Sequence, residues 1–434
     1  MGEWITKSMF ELGTTYTGLS GKKKDDFGEG EPYVTYLNVF HNCKVRLDLL
    51  DFVRIKQTER QNKIQKGDAL FTTSSETPEE VGMSSVVTDD IIQNVYLNSF
   101  CFGYRLKNPN EIKANFLAYL LRGHNFRKQM LIAAQGSTRH NLSKKNFYSS
   151  TVLFPVDVNE QEKISQILST IDAAIAKTKA IIEKYKSIKE GLMQDLLVNG
   201  IDENGVIRSQ KTHKYKDSPL GKIPVEWDVF SLLDITEKIA DRDHTTPVYV
   251  KSGVPIISPK DFDEDENISF EKCSYISYEA HLINRKKTDI KPLDIIFTRI
   301  GAGLGKSCVV TETMPEFSIL HSAALIRANN KVLPYFLMYA MKSFYFQKQI
   351  YNGIQSIGVP DLGIDKIAEL SVKMPKDKKE QDRIQIILNS IAEKILSEKS
   401  TLDKLLNLKM GLMQDLLTHK VSVDPLLERS VENE

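Results

Sequence analysis

One segment of this chain occurs twice, and that duplication limits what the chain can fold into. Residues 160–197 align without a gap onto residues 380–417, at a constant offset of 220 positions (380 minus 160). Within them, Gly-Leu-Met-Gln-Asp-Leu-Leu at 191–197 is identical at 411–417. Self-similarity over this length indicates a repeated structural unit, so we expect a fold in which each major element occurs twice.

Both copies carry apolar residues at helical spacing, with Lys, Glu, Ser and Thr between them. The apolar positions are Ile164, Ile167, Leu168, Ile171, Ile175, Ile182, Ile188 and Leu192 in the first copy, and Ile384, Ile387, Leu388, Ile391, Ile395, Leu402, Leu408 and Leu412 in the second. The pattern predicts two long helices, each about 57 Å long at ~1.5 Å per residue. Stripes of matched length favour packing of the helices against each other, and the alternative is that each packs on its own domain.

Fainter similarity upstream of each copy indicates two related globular modules. Glu3-Trp4 echoes Glu226-Trp227, and residues 67–72 echo residues 293–298. The segments that read as short strands are 32–40, 69–72, 254–258 and 294–298, and helical periodicity occurs at 111–133 and 332–350. The modules are therefore predicted to be α+β, with long loops.

The predicted order is module, helix, module, helix, with an internal pseudo-two-fold duplication. The segments are residues 1–155 (first domain), 156–197 (first helix), 198–222 (linker), 223–375 (second domain), 376–417 (second helix) and 418–434 (C-terminal tail). The linker is polar, with Gly, Asn, Ser and Pro, and reads as an exposed connection. We expect antiparallel, coiled-coil helices that separate the two domains, because this arrangement lets the linker cross little distance.

Charge and cysteine content restrict the function classes. Lys and Arg total 58 against 57 for Asp and Glu, so a nucleic-acid surface must be a local patch rather than a global excess of charge. The four cysteines stand far apart, without the paired spacing of a zinc site or a disulfide frame. The sequence shows no signal-peptide pattern and no run of ~18 apolar residues, so we expect a soluble, cytoplasmic protein with no metal site and no membrane segment.

The patterns that suggest catalysis do not meet the requirements of their motifs. The glycine-rich run 301–307 resembles a phosphate-binding loop, but Ile300 stands where that motif has its first Gly. Asn-Pro-Asn-Glu at 108–111 lacks the Asn-Pro-Pro-aromatic order of an adenine methyltransferase, and no His-Glu-x-x-His sequence occurs. The acidic runs at 89–90 and 261–266 are typical of solvated loops. We therefore expect no catalytic residues in this chain.

Three motifs strongly resemble the specificity subunits of Type I restriction-modification enzymes. They are the helices that end in Gly-Leu-Met-Gln-Asp-Leu-Leu, the Pro-x-x-x-x-Glu-Gln that starts at Pro155 and again at Pro375, and the linker sequence from Tyr215 to Trp227. The resemblance covers nearly the whole chain. It implies two target-recognition domains, each reading one half of a split site in double-stranded DNA, separated by an antiparallel pair of helices.

The resemblance also implies that the subunit itself does no chemistry. Such subunits recruit two methyltransferase subunits, which use S-adenosylmethionine, and two restriction subunits, which use ATP and Mg²⁺ to translocate and cut DNA. These cofactors are then expected in the partner subunits, and none on this chain. The alternatives are a two-module structural adaptor that binds proteins, and a specificity subunit of a related fused methyltransferase-nuclease system.

DNA readout needs Arg, Lys, Asn, Gln, Ser or Thr on loops, and two loop families qualify. The first is basic and comprises Lys22, Lys23 and Lys24 in the first domain, with Lys260, Arg299 and Lys306 in the second. A lysine run is also typical of a solvated loop. The second family lies just before the last strand of each domain and comprises Gln135, Ser137, Thr138, Arg139, His140 and Asn141, with Gln355 and Ser356 as counterparts. The resemblance places this second family near DNA.

The repeated heptapeptide predicts a partner interface at the end of each helix. Its apolar residues are Leu192, Met193, Leu196 and Leu197 in the first copy, and Leu412, Met413, Leu416 and Leu417 in the second. Two matching patches would dock two copies of the methyltransferase partner. The alternative is that these residues pack on each other at the helix ends.

Overall fold

The computed structural model describes residues 2–136, 140–301, 303–353 and 360–431. The chain divides into two compact units, one formed by residues 1–180 with 399–434 and the other by residues 181–398. Unit 1 therefore contains the first α+β domain, and unit 2 contains the second. Within the described residues, no helix is both long and apolar enough to cross a membrane.

Unit 1 is a mixture of short strands and short helices. Its strands are Trp4–Ser8, Gly13–Thr17, Phe27–Val34, Leu50–Val53, Ala69–Thr72, Ser74–Ser75, Ser84–Val86, Tyr96–Leu97, Cys101–Leu106, Ala134–Gln135, His140–Leu142 and Thr151–Pro155. Its short helices are Met9–Leu12, Lys24–Asp26, Tyr36–His41, Pro78–Glu80, Ala114–Leu120, His124–Ala133, Lys144–Ser149 and Asp424–Val431.

Unit 2 has a closely similar series of elements. Its strands are Tyr215–Lys216, Ile223–Pro224, Trp227–Ser231, Thr236–Asp241, Tyr249–Val250, Val254–Ile257, Ser274–Ile276, Ile295–Thr298, Ser307–Val309, Ser318–Ile319, Ala323–Ala328 and Ser371–Pro375. Its short helices are Leu232–Ile235, Pro259–Asp261, Tyr278–Arg285, Pro334–Lys342, Phe344–Gly353 and Ile364–Glu369.

The same four-stranded antiparallel sheet forms the centre of both units. Its strand order is Gly13–Thr17, Cys101–Leu106, Ala69–Thr72 and Ser84–Val86 in unit 1, and Thr236–Asp241, Ala323–Ala328, Ile295–Thr298 and Ser307–Val309 in unit 2. A two-stranded sheet joins a strand near the start of each domain to the last strand of that domain, with Trp4 opposite Pro155 and Trp227 opposite Pro375. The matching order and register confirm the predicted α+β class and the internal duplication.

The two long helices run from Val158 to Leu196 and from Lys378 to Leu417, over 39 and 40 residues. The apolar stripe of each helix packs partly on the other helix and partly on a domain, because each domain core includes residues of both helices. Unit 1 holds the first part of the first helix and the last part of the second, and unit 2 holds the remaining parts. The sequence alternatives, packing on the other helix or on the domain, are therefore both realised.

Contacts in unit 1 fix the direction of its two helix segments. Asp172 forms an ion pair with Lys409 at 2.6 Å. Trp4 connects the positions at the ends of these segments, because its indole N–H donates to Glu160 at 3.0 Å and its ring stacks on His419 with centres 4.6 Å apart. Residue 160 therefore lies near residue 419, and residue 172 lies near residue 409. Because residue numbers increase along one segment while they decrease along its neighbour, the two segments are antiparallel.

Contacts in unit 2 give the same direction for its helix segments. The Lys394 ammonium lies 5.9 Å from the centre of the Tyr185 ring. The backbone N–H of Ile201, just beyond the end of the first helix, donates to the Glu380 carboxylate at 3.1 Å. The antiparallel arrangement predicted from the sequence is confirmed in each unit.

A buried glutamine holds the start of each long helix inside its domain. The Gln161 amide donates to the carbonyl groups of Pro155 at 2.9 Å and Glu111 at 3.0 Å, and its oxygen accepts from the N–H of Lys113 at 2.8 Å. The same three bonds join Gln381 to Pro375, Lys331 and Leu333 at 2.9, 3.1 and 2.9 Å. Both glutamines are fully buried with both ends of the amide hydrogen-bonded, so they fix the helix start at low cost in desolvation.

The glutamate beside each glutamine is also buried. The indole N–H of Trp4 donates to Glu160, and that of Trp227 donates to Glu380, both at 3.0 Å. In unit 2 the Arg208 guanidinium, from the segment after the first long helix, pairs with both oxygens of Glu380. Among the described residues, the second carboxylate oxygen of Glu160 has no hydrogen-bond partner, and burial raises the pKa of this group.

Two local predictions differ from the structure. The predicted strand at 32–40 ends at Val34, because the Thr35 hydroxyl accepts a hydrogen bond from the N–H of Asn38 and caps the short helix Tyr36–His41. The helical periodicity at 111–133 and 332–350 is interrupted, because each stretch is two short helices with a break between them.

The segment 198–222 is not the simple exposed connection that its composition predicted. Ile201 and Arg208 are buried, and Tyr215–Lys216 pairs with Ile223–Pro224 as a short antiparallel ladder. The difference arises because the buried Glu380 carboxylate provides a partner for a linker arginine, which composition alone does not reveal.

We expect Glu380→Ala to lower the free energy of unfolding by about 3 to 5 kcal/mol, because the Arg208 guanidinium would remain buried without its partner. Glu160→Ala is the matched variant and should cost about 1 to 3 kcal/mol, since its loss leaves one indole N–H without an acceptor. Denaturant titration of both variants measures the difference. Equal losses would contradict the ion-pair explanation.

Candidate nucleic-acid interface

The second predicted loop family lies at one end of the central sheet in unit 1. The strand His140–Leu142 pairs with Ser74–Ser75 on one side and with Ala134–Gln135 on the other. The backbone N–H of Leu142 also donates to the carbonyl of Thr73 at 2.9 Å, directly after the central strand. The segment before the last strand of the domain is therefore fixed to the end of the central sheet.

The equivalent loops meet at the same end of the sheet in unit 2. Ile300 and Asp361 form an isolated antiparallel bridge. The N–H of Gly301 donates to the carbonyl of Pro360 at 2.9 Å, and the N–H of Leu362 donates to that of Arg299 at 3.0 Å. In this unit the structure brings Arg299, which belongs to the first predicted family, together with the segment before the last strand, which contains the second family.

Most of the second loop family lies outside the described residues. These positions are Ser137, Thr138 and Arg139 in the first domain, and Gln355 and Ser356 in the second. Gln135 contributes its backbone to the short ladder, His140 is half-buried, and Asn141 is exposed. Their contact with DNA stays a prediction.

Arg299 lies inside the domain and not on an exposed loop. Its side chain is only 4% exposed and lies 3.5 Å from the Asp241 carboxylate. The guanidinium donates to the Asp361 carboxylate at 2.8 Å and to the carbonyl groups of Leu362 at 2.9 Å and His321 at 2.7 Å. The predicted DNA contact at this residue therefore needs correction, because acceptors from distant parts of the sequence enclose the side chain and occupy its donors.

Several residues around Arg299 were missed by the sequence analysis. The rings of His244 and His321 stack with centres 5.1 Å apart, and Arg242 donates to the Asn284 side chain at 2.8 Å. Burial and the neighbouring positive groups at His244, Arg299 and Arg242 lower the pKa of His321. Arg242 and His244 follow one strand, His321 follows another and Asn284 lies in a helix, so no spacing in the sequence connects them.

The two remaining basic residues of the second domain lie near its glycine-rich turn. Lys260 is exposed, with its ammonium 3.4 Å from the Ser274 hydroxyl, and Lys306 is half-buried and donates to a backbone carbonyl at 3.2 Å. The strand Ser307–Val309 follows the glycines. A phosphate-binding loop would lead into a helix at this point, so the glycine-rich run does not have that architecture.

The lysine run of the first domain is only partly exposed. The Lys22 side chain is 3% exposed, because its ammonium pairs with Glu59 and donates to the carbonyl of Arg54. Lys23 and Lys24 are exposed. The predicted DNA contact therefore needs correction at Lys22, and at Lys23 and Lys24 it stays a prediction.

A second basic segment lies beside this run. Lys22 holds residues 54–66 to the run through Arg54 and Glu59, and the Asn62 side chain donates to the carbonyl of Thr17, just before the run, at 3.0 Å. The exposed basic residues of this segment include Lys56, Arg60 and Lys63. We call Lys23, Lys24, Lys56, Arg60 and Lys63 the basic surface of unit 1. Its second half is not evident from the sequence, because single basic residues spaced along a polar loop form no motif.

The apolar residues of the repeated heptapeptide fall into two sets. Leu196 and Leu197 are buried in the core of the second domain, and Leu416 and Leu417 in that of the first. Leu192, Met193, Leu412 and Met413 are only half-buried at the edges of the same cores. Packing within the chain therefore accounts for the first set, and contact with a partner stays a prediction.

Comparison with known proteins identifies relatives over most of the chain. Residues 1–186 and 224–407 match the family described as Type I restriction modification DNA specificity domain. The Type I restriction enzyme MjaVIII specificity subunit of Methanocaldococcus jannaschii is 25% identical over 337 residues, which cover 74% of each chain. The putative MjaX specificity subunit of the same organism is 29% identical over 227 residues, covering 50% of this chain and 51% of the relative.

Solved structures share the fold. The crystal structure of a Type I restriction-modification S subunit from M. genitalium matches with a TM-score of 0.57 at 15% identity and covers 96% of both chains. A chain from a study of complex assembly and conformational transition of the Type I system matches with a TM-score of 0.53 at 14% identity, covering 96% of this chain and 97% of that one.

We expect the triple variant Lys56→Gln, Arg60→Gln, Lys63→Gln to bind duplex DNA with a weaker dependence on salt. Removing one phosphate contact lowers the slope of log K against log salt by about 0.9, so removing three lowers it by up to about 2.7. Fluorescence anisotropy with the partner-bound protein measures the slope. Arg54→Gln with Lys66→Gln is the matched control, because these two residues already pair with Glu29 and Asp90. An unchanged slope in the triple variant would show that this surface does not contact DNA.

Proposed function

The chain belongs to the Type I restriction-modification DNA specificity family, and from that membership we propose that it reads a two-part DNA target with one domain for each half. One observation carries the proposal. Both units repeat the same central sheet, and in both the segment before the last strand is fixed to the end of that sheet. Two equivalent loop clusters on one chain fit two half-sites, each read through base edges by its own cluster.

We assign the chemistry of modification and cleavage to partner subunits. In this proposal two methyltransferase subunits use S-adenosylmethionine, and two restriction subunits use ATP and Mg²⁺. Family membership supports this division, as does a sequence that lacks the Asn-Pro-Pro-aromatic order of an adenine methyltransferase. The chain then supplies the DNA sequence preference of the assembly, and its partners supply the reactions.

The half-site proposal predicts a change confined to one half of the target. His140→Ala combined with Asn141→Ala should reduce base discrimination at one half-site. The expected loss is about 1 to 3 kcal/mol for each hydrogen-bonded contact between a side chain and a base edge that the substitutions remove. The other half-site should keep its preference. Long-read sequencing of DNA methylated by the assembled complex measures both halves. Asn110→Ala, in an exposed loop beyond the other end of the strand Cys101–Leu106, is the control. Equal relaxation of both halves would contradict separate reading.

The half-buried residues of the heptapeptide suit two equivalent partner sites. Met193 and Met413 occupy the same position in the two copies, and equivalent surfaces bind copies of the same partner. We expect Met193→Glu or Met413→Glu to remove one methyltransferase subunit each, and the double variant to remove both. Native mass spectrometry of the purified complex counts the subunits, with Lys179→Glu as an exposed control. A double variant that folds and retains both subunits would rule out this docking site.

We also propose that the two long helices set the spacing between half-sites, because both continue from one unit into the other. Insertion of seven residues after Ala180 and after Glu398 lengthens each helix by about 10.5 Å, or about three base pairs at ~3.4 Å each. Placing both insertions at the unit boundaries keeps the helix register within each unit. Binding to a library of duplexes with varied spacers should then favour a longer spacer with unchanged half-sites. A preference for the original spacer would contradict the proposal.

A further inference from the structure

The end of the second long helix borders a groove on the first domain. The groove has a volume of about 140 Å³, and exposed polar side chains such as Asn125 and Gln414 stand at its edge. A cavity of about 150 Å³ can hold a benzene molecule, so the groove has room for one apolar side chain. Its inner wall consists of apolar residues, which are Leu120, Phe126, Val152, Leu153, Met413 and Leu417. The groove therefore lies directly beside the half-buried methionine that we propose as a partner contact.

The frame around this groove is the same in unit 2. In unit 1 the Gln129 side chain bonds to both backbone groups of Thr151, at 2.8 and 2.9 Å. In unit 2 the Gln349 side chain makes the same two bonds to Ser371, at 2.9 and 2.8 Å. Each pair of bonds joins a helix to the last strand of its domain. Equivalent positions of the two helices and strands can therefore be compared directly.

The wall differs at the third residue of that last strand. Leu153 lines the groove in unit 1, and Lys373 stands at the same position of the strand in unit 2. Lys373 is 5% exposed, and its ammonium lies 3.6 Å from the centre of the Tyr345 ring, which stands where unit 1 has Asn125. Among the described residues no hydrogen-bond acceptor reaches this ammonium, and burial lowers its pKa to about 8. The face of the ring therefore stabilises a cation that is held inside the domain.

The side chains at the two helix ends are identical, in contrast to the wall. Gln194 and Gln414 are both exposed, so packing within the chain does not require the same residue at these positions. Met193 and Met413 are both half-buried. Identical exposed residues in a repeat favour the same kind of partner at both helix ends. Two copies of one partner would then meet the same helix end beside two different walls.

We infer that the two docking sites differ in affinity for the methyltransferase partner, because an apolar side chain of the partner enters the groove of unit 1, whereas Lys373 and Tyr345 occupy the equivalent place in unit 2. The inference rests on the proposed function, since it assumes that this partner docks at Met193 and Met413. In unit 1 the entering side chain leaves water for an apolar wall, which favours binding. In unit 2 it would meet a ring and an ammonium whose charge is costly to bury further. The first partner copy therefore binds unit 1, and the second binds unit 2 more weakly.

Each site is measured alone, in a chain whose other site is removed. Met413→Glu leaves only the site of unit 2, and Met193→Glu leaves only that of unit 1. The full chain is purified with the methyltransferase subunit, and native mass spectrometry over a dilution series gives the dissociation constant of the remaining partner. We expect the constant of the unit 2 site to be about tenfold higher or more, which is the ratio that burial of one apolar side chain gives.

Exchange of the two walls tests the cause of the difference. Lys373→Leu with Tyr345→Asn should tighten the unit 2 site by about tenfold. Leu153→Lys with Asn125→Tyr should weaken the unit 1 site by a similar factor. Lys272→Leu is the matched control, because it removes an exposed lysine next to a different sheet of the second domain and should change neither constant.

Lys373→Leu alone is the variant least able to disturb the fold. It replaces a buried ammonium that lacks a hydrogen-bond acceptor by an apolar side chain, so the melting temperature should not fall. Its partner should still bind the unit 2 site more tightly than in the chain with Lys373. A thermal melt of each variant accompanies the binding measurement.

Three results would overturn the inference. Equal constants for the two isolated sites would show that the walls do not matter, as would constants that the exchange of walls leaves unchanged. Weaker binding after Lys373→Leu would show that a carboxylate of the partner pairs with the ammonium. A chain that keeps both partner subunits in Met193→Glu and in Met413→Glu would instead refute the proposed docking sites, and the inference with them.

Discussion

The architecture depends on a Glu-Gln pair that is buried at the start of each long helix. Gln161 and Gln381 each bond to three backbone groups of their domain, and the neighbouring glutamates each accept a hydrogen bond from a tryptophan near the start of the domain. A buried polar group without such partners would destabilise the fold, so each helix must begin inside its own domain. The direction of each helix out of its domain follows from these contacts.

The two units contain equivalent parts of the chain. Each consists of one domain, the beginning of the helix that follows it, and the end of the other helix. Leu196 and Leu197 at the end of the first helix are buried in the core of the second domain, and Leu416 and Leu417 at the end of the second helix are buried in the core of the first. Each domain core is therefore completed by the end of the helix that begins in the other domain. This arrangement suits a protein that presents two similar recognition surfaces on one chain, with loops at one sheet end free to differ while the shared scaffold stays the same.

The sequence predicted what is repeated or periodic, and it missed what depends on pairs of distant residues. The long helices and the α+β class follow from apolar spacing and from the duplication, and the antiparallel pairing follows from the short distance that the linker then crosses. The burial of Lys22 and Arg299 does not, because Glu59 and Asp361 enclose them only after the chain has folded. The docked linker was missed for the same reason, since composition carries no sign that Arg208 has a buried partner. Exposure of charged loop residues is therefore the least predictable part of the candidate site.

The central claim is that each domain reads its own half-site on a shared scaffold. The most direct measurement is the methylated DNA motif of a chain in which residues 223–375 are replaced by residues 1–155, so that both recognition domains are the same. The account predicts a target whose two halves have the same sequence, with the original spacer, because both halves are then read by identical domains. A motif that keeps two different half-sites would contradict it.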